Sequence, residues 1–181
     1  MTLYASSLLI ACGICLFAGV HALLVGSAGE REPVNQSFGW LSLLLAGYLL
    51  LTAGIFRNDS LELARTLIRW QMGFACLIYP AAVWFLGHYA GLRHRRRWLL
   101  VAVAVFGPLL LANAFSPDGV IYSGIVQREP IRLPWGEQVS NFAGTRSALF
   151  GPYFLAKDAV YVWAIGCCVA LWRARSERAW P

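Results

Sequence analysis

The chain has 181 residues, 59% of them hydrophobic and only 13% charged, with a net charge of +6. A soluble domain carries nearer ~25% charged residues, so the apolar excess has no soluble core to fill and points to lipid as solvent. All basic residues but Lys157 are arginines, and they gather at the ends of apolar segments instead of along one helix face, which argues against nucleic acid as a partner.

Five apolar segments predict five transmembrane helices, near residues 3–25, 38–56, 70–91, 98–116 and 149–172, in a single membrane domain over 1–181. A helix of about 20 residues crosses ~30 Å of hydrocarbon. The N-terminus lacks the basic region and cleavage site of a signal peptide, so the first segment is expected to be retained. Within it Ala11, Cys15 and Gly19 form a small-residue stripe that lets another helix approach closely. Residues 26–37 read as a polar connection holding Glu30, Arg31, Glu32 and Pro33. The second segment is leucine-rich, with Gly47 and Gly54 on nearly one face. Asp59 or Ser60 can cap the next helix, and Glu62 supplies acid to its first turn. Leu61, Ala64, Leu67 and Ile68 then line one side of an interfacial amphipathic turn leading into the third segment, where Pro80 marks a kink.

The third and fourth segments are joined by Arg93-His94-Arg95-Arg96-Arg97. Four arginines cannot sit in lipid, and arginine-rich short loops stay cytoplasmic. The N-terminus is then outside and the C-terminus inside. Arg31, the knot, Arg173, Arg175 and Arg178 lie on the inner side, against Arg57, Arg65, Arg69, Arg128, Arg132 and Arg146 outside. Tryptophans 70, 98 and 172 fall at predicted interfaces, as an aromatic belt requires. After the turn-rich Ser116-Pro117-Asp118-Gly119, the extracytoplasmic segment 116–147 carries two strand-like runs, Val120-Ile121-Tyr122 and Ile131-Arg132-Leu133. Pro130, Pro134 and Gly136 mark turns. The expected fold is thus all-α and integral to the membrane, with one small hairpin-like loop over the outer helix ends.

The middle of the chain carries Trp70-Gln71, Pro80, Trp84-Phe85, Tyr89-Ala90-Gly91, Arg97-Trp98-Leu99 and a polar run from Asn113 to Tyr122. These resemble part of the seven-helix N-terminal membrane sensor region of bacterial histidine kinases and related PAS and diguanylate cyclase receptors. There, a proline-containing helix ends in an aromatic–Tyr–Thr–Gly pattern followed by basic residues and the next helix. Here Ala90 replaces the threonine, the Asn-Pro that follows in the family is stretched to Asn113-Ala114-Phe115-Ser116-Pro117, and five spans stand in place of seven. The match covers roughly residues 60–125. It implies a receptor module of the bacterial inner membrane, part of a two-component or similar system, that signals through its last helix to a cytoplasmic domain or partner protein. No kinase or cyclase motif occurs in the sequence, so any catalytic output would lie outside this chain.

Three sets of residues could carry chemistry. His21 and His88 each lie about 7 Å inside the inner boundary, the matched depth that two axial ligands of a b-type haem need; the alternative is that each only bonds a neighbouring helix. Cys12 and Cys15 form a C-x-x-C pair at a depth comparable with Cys76 and could hold Cu(I), or serve simply as small packing residues; Cys167 and Cys168 point about 100° apart and cannot share one ion. With no cysteine in the polar loops, no disulfide framework is expected. Lys157 and Asp158 are the most costly residues if the last helix begins near Leu149, and mark interfacial charges if it begins near Ala156. Being adjacent, they are expected to point to different sides and not to pair directly. With Gln71, Tyr79, Asn113 and Tyr161 they outline a polar pocket in the outer leaflet, lidded by Pro134-Trp135-Gly136-Glu137. The leading reading is a non-catalytic sensory module in which a small amphiphilic ligand enters that pocket and shifts the last helix; a homodimer is open. The alternatives are a haem-binding electron-transfer or redox-sensing protein and a structural accessory subunit of a membrane complex.

Overall fold

The computed structural model describes residues 2–28 and 32–176. Glu30, Arg31 and Arg178, named above, lie outside the described residues. Five helices are long and apolar enough to cross a membrane: α1 (Leu3–Ala28), α2 (Pro33–Arg57), α3 (Leu61–Tyr89), α4 (Arg95–Phe115) and α5 (Phe150–Ser176), with Phe150–Arg173 the apolar part of α5.

Helix ends differ from the expected ones for local reasons. The polar connection 26–37 contracts because Pro33, with its preset φ, starts α2 early. The Gln36 side-chain amide then donates to the Gly26 carbonyl at 3.2 Å, satisfying a group that the end of α1 leaves open. Ser60 caps α3 by accepting from the Leu63 N–H at 3.4 Å, with Glu62 in the first turn. The amphipathic turn and the third span are one continuous helix that runs through Pro80. α3 stops on Tyr89-Ala90-Gly91: Gly91 has φ +61°, Leu92 N–H bonds the Gly87 carbonyl at 3.0 Å, and Gly91 N–H bonds that of His88 at 3.1 Å. This double closure requires a left-handed residue, which explains the glycine. The turn is so tight that Arg95, Arg96 and Arg97 form the first turn of α4 instead of a loop. Cations at a helix N-terminus oppose its dipole, so helix electrostatics is not what places them there.

α1 and α2 pack through small residues. Ala5, Gly19 and Gly26 are buried on α1 and Gly39, Ala46 and Ala53 on α2, each series continuing a seven-residue repeat. The Cys12 thiol, on the same repeat, donates to the Ala46 carbonyl at 3.3 Å. Of the expected stripe of Ala11, Cys15 and Gly19, Gly19 is buried, and Ala11 and Cys15 are half-buried, as Cys12 is. Gly47 and Gly54 do share a face, turned to α3, where Phe74 and Leu67 fill the space above them. α4 continues the bundle on the far side of α3. The core runs from Ile55 and Ile68 through Met72, Cys76 and Tyr79 to Phe106, Leu109 and Tyr153. α5 touches α3 and α4 with one edge and leaves most of its surface exposed.

Between α4 and α5 lies a polar segment with four short strands. β1 (Tyr122–Arg128) pairs antiparallel with β4 (Phe142–Arg146), and β2 (Ile131–Arg132) with β3 (Gln138–Val139). The hairpin-like segment is thus two ladders in line; the expected runs contribute to β1 and β2, and β3 and β4 are strands not foreseen. Leu133-Pro134-Trp135-Gly136 makes the tip, with Gly136 at φ +89° and its N–H bonded to the Leu133 carbonyl at 2.8 Å. This end of the bundle is the sheet end; the opposite one, with Arg93–Arg97 and Arg173, is the arginine end.

Candidate functional site

α5 starts at Phe150, so Lys157 and Asp158 fall well inside the helix, about 10–12 Å from its beginning. The early start is the costly one, at roughly 2.5–3.5 kcal/mol per ionised group in hydrocarbon. Two features reduce that cost. Lys157 Nζ lies 3.3 Å from Asp158 Oδ1, and it sits over the Phe154 ring at 4.3 Å and within 5.8 Å of the Tyr161 centroid. The expectation that the two charges would not pair is therefore corrected. Their Cα–Cβ bonds diverge, but the lysine stem is long enough to bend round. The partners are unequal: the Lys157 side chain is 22% exposed and that of Asp158 63%. Lysine lies along the bundle edge and aspartate faces away from the bundle. A polar pocket formed by both would need both side chains to point inward; Lys157 does and Asp158 does not.

Next to Lys157, Tyr79 of α3 meets two tyrosines of α5 edge-on, Tyr153 at 6.3 Å and Tyr161 at 6.0 Å between centroids. Tyr79 also stacks on Phe106 of α4 at 4.8 Å. Tyr153 and Tyr161 are eight residues apart, on one helix face, so three helices meet at a cluster of phenols with an ammonium group at its rim. Phe106 went unrecognised in the sequence, and Tyr153 was not counted among the pocket residues. The spacing of Tyr153 and Tyr161 was the available signal.

The other predicted pocket residues are engaged elsewhere. Gln71 donates to Thr52 Oγ1 at 2.8 Å between α2 and α3. Asn113 spends both ends of its amide at the sheet end: its Nδ2 donates to the Arg69 carbonyl at 2.9 Å and its Oδ1 accepts from the Val120 N–H at 3.0 Å. Trp135 donates to Glu137 at 2.8 Å, and the same carboxylate accepts from the Tyr4 N–H at 3.3 Å. The hairpin tip thus docks on the start of α1 and does not cover Lys157. The Trp135 hydrogen bond chiefly, helped by backbone N–H groups of the α1 start, holds the Glu137 carboxyl below its usual range against the opposing effect of desolvation.

A separate network ties the sheet end together. Arg65 Nε lies 3.1 Å from Asp118 Oδ1, Arg69 donates to the Ala114 carbonyl, and Ser116 Oγ donates to the Gly119 carbonyl at 2.8 Å. Gly119, at φ +80°, comes so close to Asn113 that a Cβ would stand 3.0 Å from its Oδ1. Ser147 closes the network from the start of α5, donating to the Val120 carbonyl. Any movement of α5 therefore pivots about an end anchored to α3 and α4.

The open space beside α5 is apolar. A cavity of about 150 Å³ lies among α3, α4 and α5, lined by Val83, Trp98, Ala102, Phe106, Val160 and Trp163, among others. It is on the arginine-end side of the tyrosine cluster and includes neither Lys157 nor Tyr161. None of the residues of the expected polar pocket lines this cleft. Its mouth carries Trp98 and Trp163, whose rings are 5.9 Å apart.

His21 and His88 do not meet across a common space. His21 is exposed on α1, stacked on Phe17 at 6.1 Å in a groove formed with α2, whereas His88 packs against Trp84 of its own helix. Cys12 is hydrogen-bonded into the α1–α2 seam and Cys76 lies in the core of α3. Among the described residues no group of three or more His, Cys, Asp and Glu side chains is placed to hold a metal ion. No protein family, curated protein or solved structure matches the chain.

Proposed function

We propose that the chain is a membrane sensory or receptor module, with α1–α4 as scaffold and α5 as the moving element. The arginine end faces the cytoplasm, the sheet end faces outside, and the protein sits in a bacterial inner membrane. The observation that carries the reading is the contrast around α5: it is fastened by Ser147 and Tyr153 at one end and bordered by an apolar cleft at Ala156, Ala159, Val160 and Trp163. An amphiphile whose tail enters the cleft and whose polar head extends beyond it to Lys157 and Tyr161 would favour one position of α5 over another. Differential affinity of ~1–3 kcal/mol is enough coupling to pass a signal to a cytoplasmic domain or partner.

The test uses tryptophan quenching. Bromine-labelled decanoic acid, added to the protein in bilayers, should quench fluorescence more strongly than brominated phospholipid at equal bromine content. The excess should disappear when Trp98 and Trp163 are both replaced by phenylalanine, and weaken in Lys157→Met. Equal quenching by acid and phospholipid would mean that the cleft holds only ordinary lipid, and the reading would fall.

A further inference from the structure

We infer that α5 is a homodimer contact, in which two copies of this chain close a mid-membrane charge cluster made of Lys157 and Asp158 from each. The inference does not depend on the receptor reading. Its first support is a stripe. Gly151, Leu155, Asp158, Val162, Ile165, Val169 and Trp172 alternate at spacings of four and three along α5, the a/d pattern of a two-helix seam, and span an arc of only about 100°. Every one is exposed: Leu155 by 74%, Val162 by 71%, Ile165 by 64% and Trp172 by 70%. None is used to pack α5 on its own bundle.

A stripe of this kind could simply face lipid; Asp158 is what makes that costly. It stands on the stripe, within the hydrocarbon part of the helix, and its carboxylate is 63% exposed. Lys157 reaches the edge of the same stripe, with Nζ 3.3 Å from that carboxylate, so the patch carries both signs of charge side by side. A two-fold axis between parallel α5 helices brings the patch against itself, and an isologous interface needs such self-complementarity. Each carboxylate keeps a second oxygen to accept from the second copy's lysine, and the four charges become a closed set removed from lipid. A helix of a different protein would have to supply both a matching acid and a matching base; a second copy supplies them by construction. The small residues Gly151 and Ala159 on or beside the stripe, both exposed, let the backbones approach closely at its sheet-end half.

The experiment measures energy transfer between full-length chains carrying donor or acceptor dyes at the N-terminus, in liposomes of phosphatidylethanolamine and phosphatidylglycerol. Wild-type chains should transfer energy in proportion to dimer content and lose it on dilution with lipid. Asp158→Lys alone and Lys157→Asp alone should each weaken association by at least about tenfold, through like-charge contact. Mixed together, they should recover most of it, because one copy then brings two bases and the other two acids. Val162→Trp, which leaves the charges and the monomer packing untouched, should weaken association without changing helicity; this variant answers if the charge variants fail to insert. Wild-type chains that stay monomeric at high protein-to-lipid ratio would overturn the proposal, since lipid or another protein would then cover the stripe. So would dimers indifferent to all three substitutions, or charge variants that do not rescue one another.

Discussion

α1 with α2, and α5 with α3 and α4, are both packings of apolar helices, yet they are held in opposite ways. The α1–α2 seam is backbone against backbone: a Cβ added to Gly39 would stand 3.0 Å from the Gly19 carbonyl and 2.7 Å from Leu23. Along α5, Gly151 and Gly166 have nothing within 4 Å of where a Cβ would be. The apolar parts of the two helices are both strongly hydropathic, with mean values of 2.5 for α1 and 1.6 for α5. Lipid is as apolar as the side chains, so hydropathy cannot decide which helices associate; shape and hydrogen bonding do. The α1–α2 pair is closed by small residues, whereas α5 meets α3 and α4 through an aromatic cluster with a cavity beside it.

The largest expected effect comes from breaking the tight seam. Gly39→Val should cost ~3 kcal/mol, because the Gly19 backbone cannot move aside as a side chain could, and thermal unfolding in detergent should fall accordingly. Asn113→Ala should follow at ~2 kcal/mol: two hydrogen bonds go and the buried Val120 N–H is left without a partner. That loss should also free the anchored end of α5, read as faster proteolysis between β4 and α5. On the loose side the sign should reverse. Gly166→Ala meets no neighbour and should stabilise the monomer by about 0.5–1 kcal/mol through helix propensity. The smallest effect is the pH response of the hairpin tip. Because the folded-state pKa of Glu137 lies below its unfolded value, its contribution is fully present above the ordinary carboxylate range and is lost as pH falls through the depressed value. Glu137→Gln should flatten that acid limb in a melting series, with little change near neutrality.

The five helices were legible because each is a long apolar run bounded by charge or proline, and Gly47 and Gly54 do share a face as their spacing indicated. The α3 stop was legible as a motif, and the +61° φ of Gly91 gives its physical reason. The α1 stripe was only partly legible: a four-residue repeat was read where the contact follows a seven-residue one. Asn113 and Trp135 could not be separated from the pocket by sequence. Their partners, the Val120 N–H and Glu137, lie on the polar segment, whose fold back over the helix ends has no period to read. The direction of Lys157 was missed because a side chain with a flexible four-carbon stem is not bound by the direction of its Cα–Cβ bond. His21 and His88 matched in depth, but depth says nothing about which way a helix is rotated.

The mobility of α5 against a fixed α1–α2 pair is tested most directly by spin-label distances in nanodiscs, with labelled chains diluted in unlabelled ones. One pair joins Arg96→Cys on α4 to the native Cys168 on α5; the other joins Val20→Cys on α1 to Trp40→Cys on α2, each with the remaining cysteines replaced. The α4–α5 distribution should be broad or two-peaked and should narrow when decanoic acid is added, while the α1–α2 distribution stays narrow and unmoved. Equally narrow distributions for both pairs, unchanged by the acid, would contradict the account.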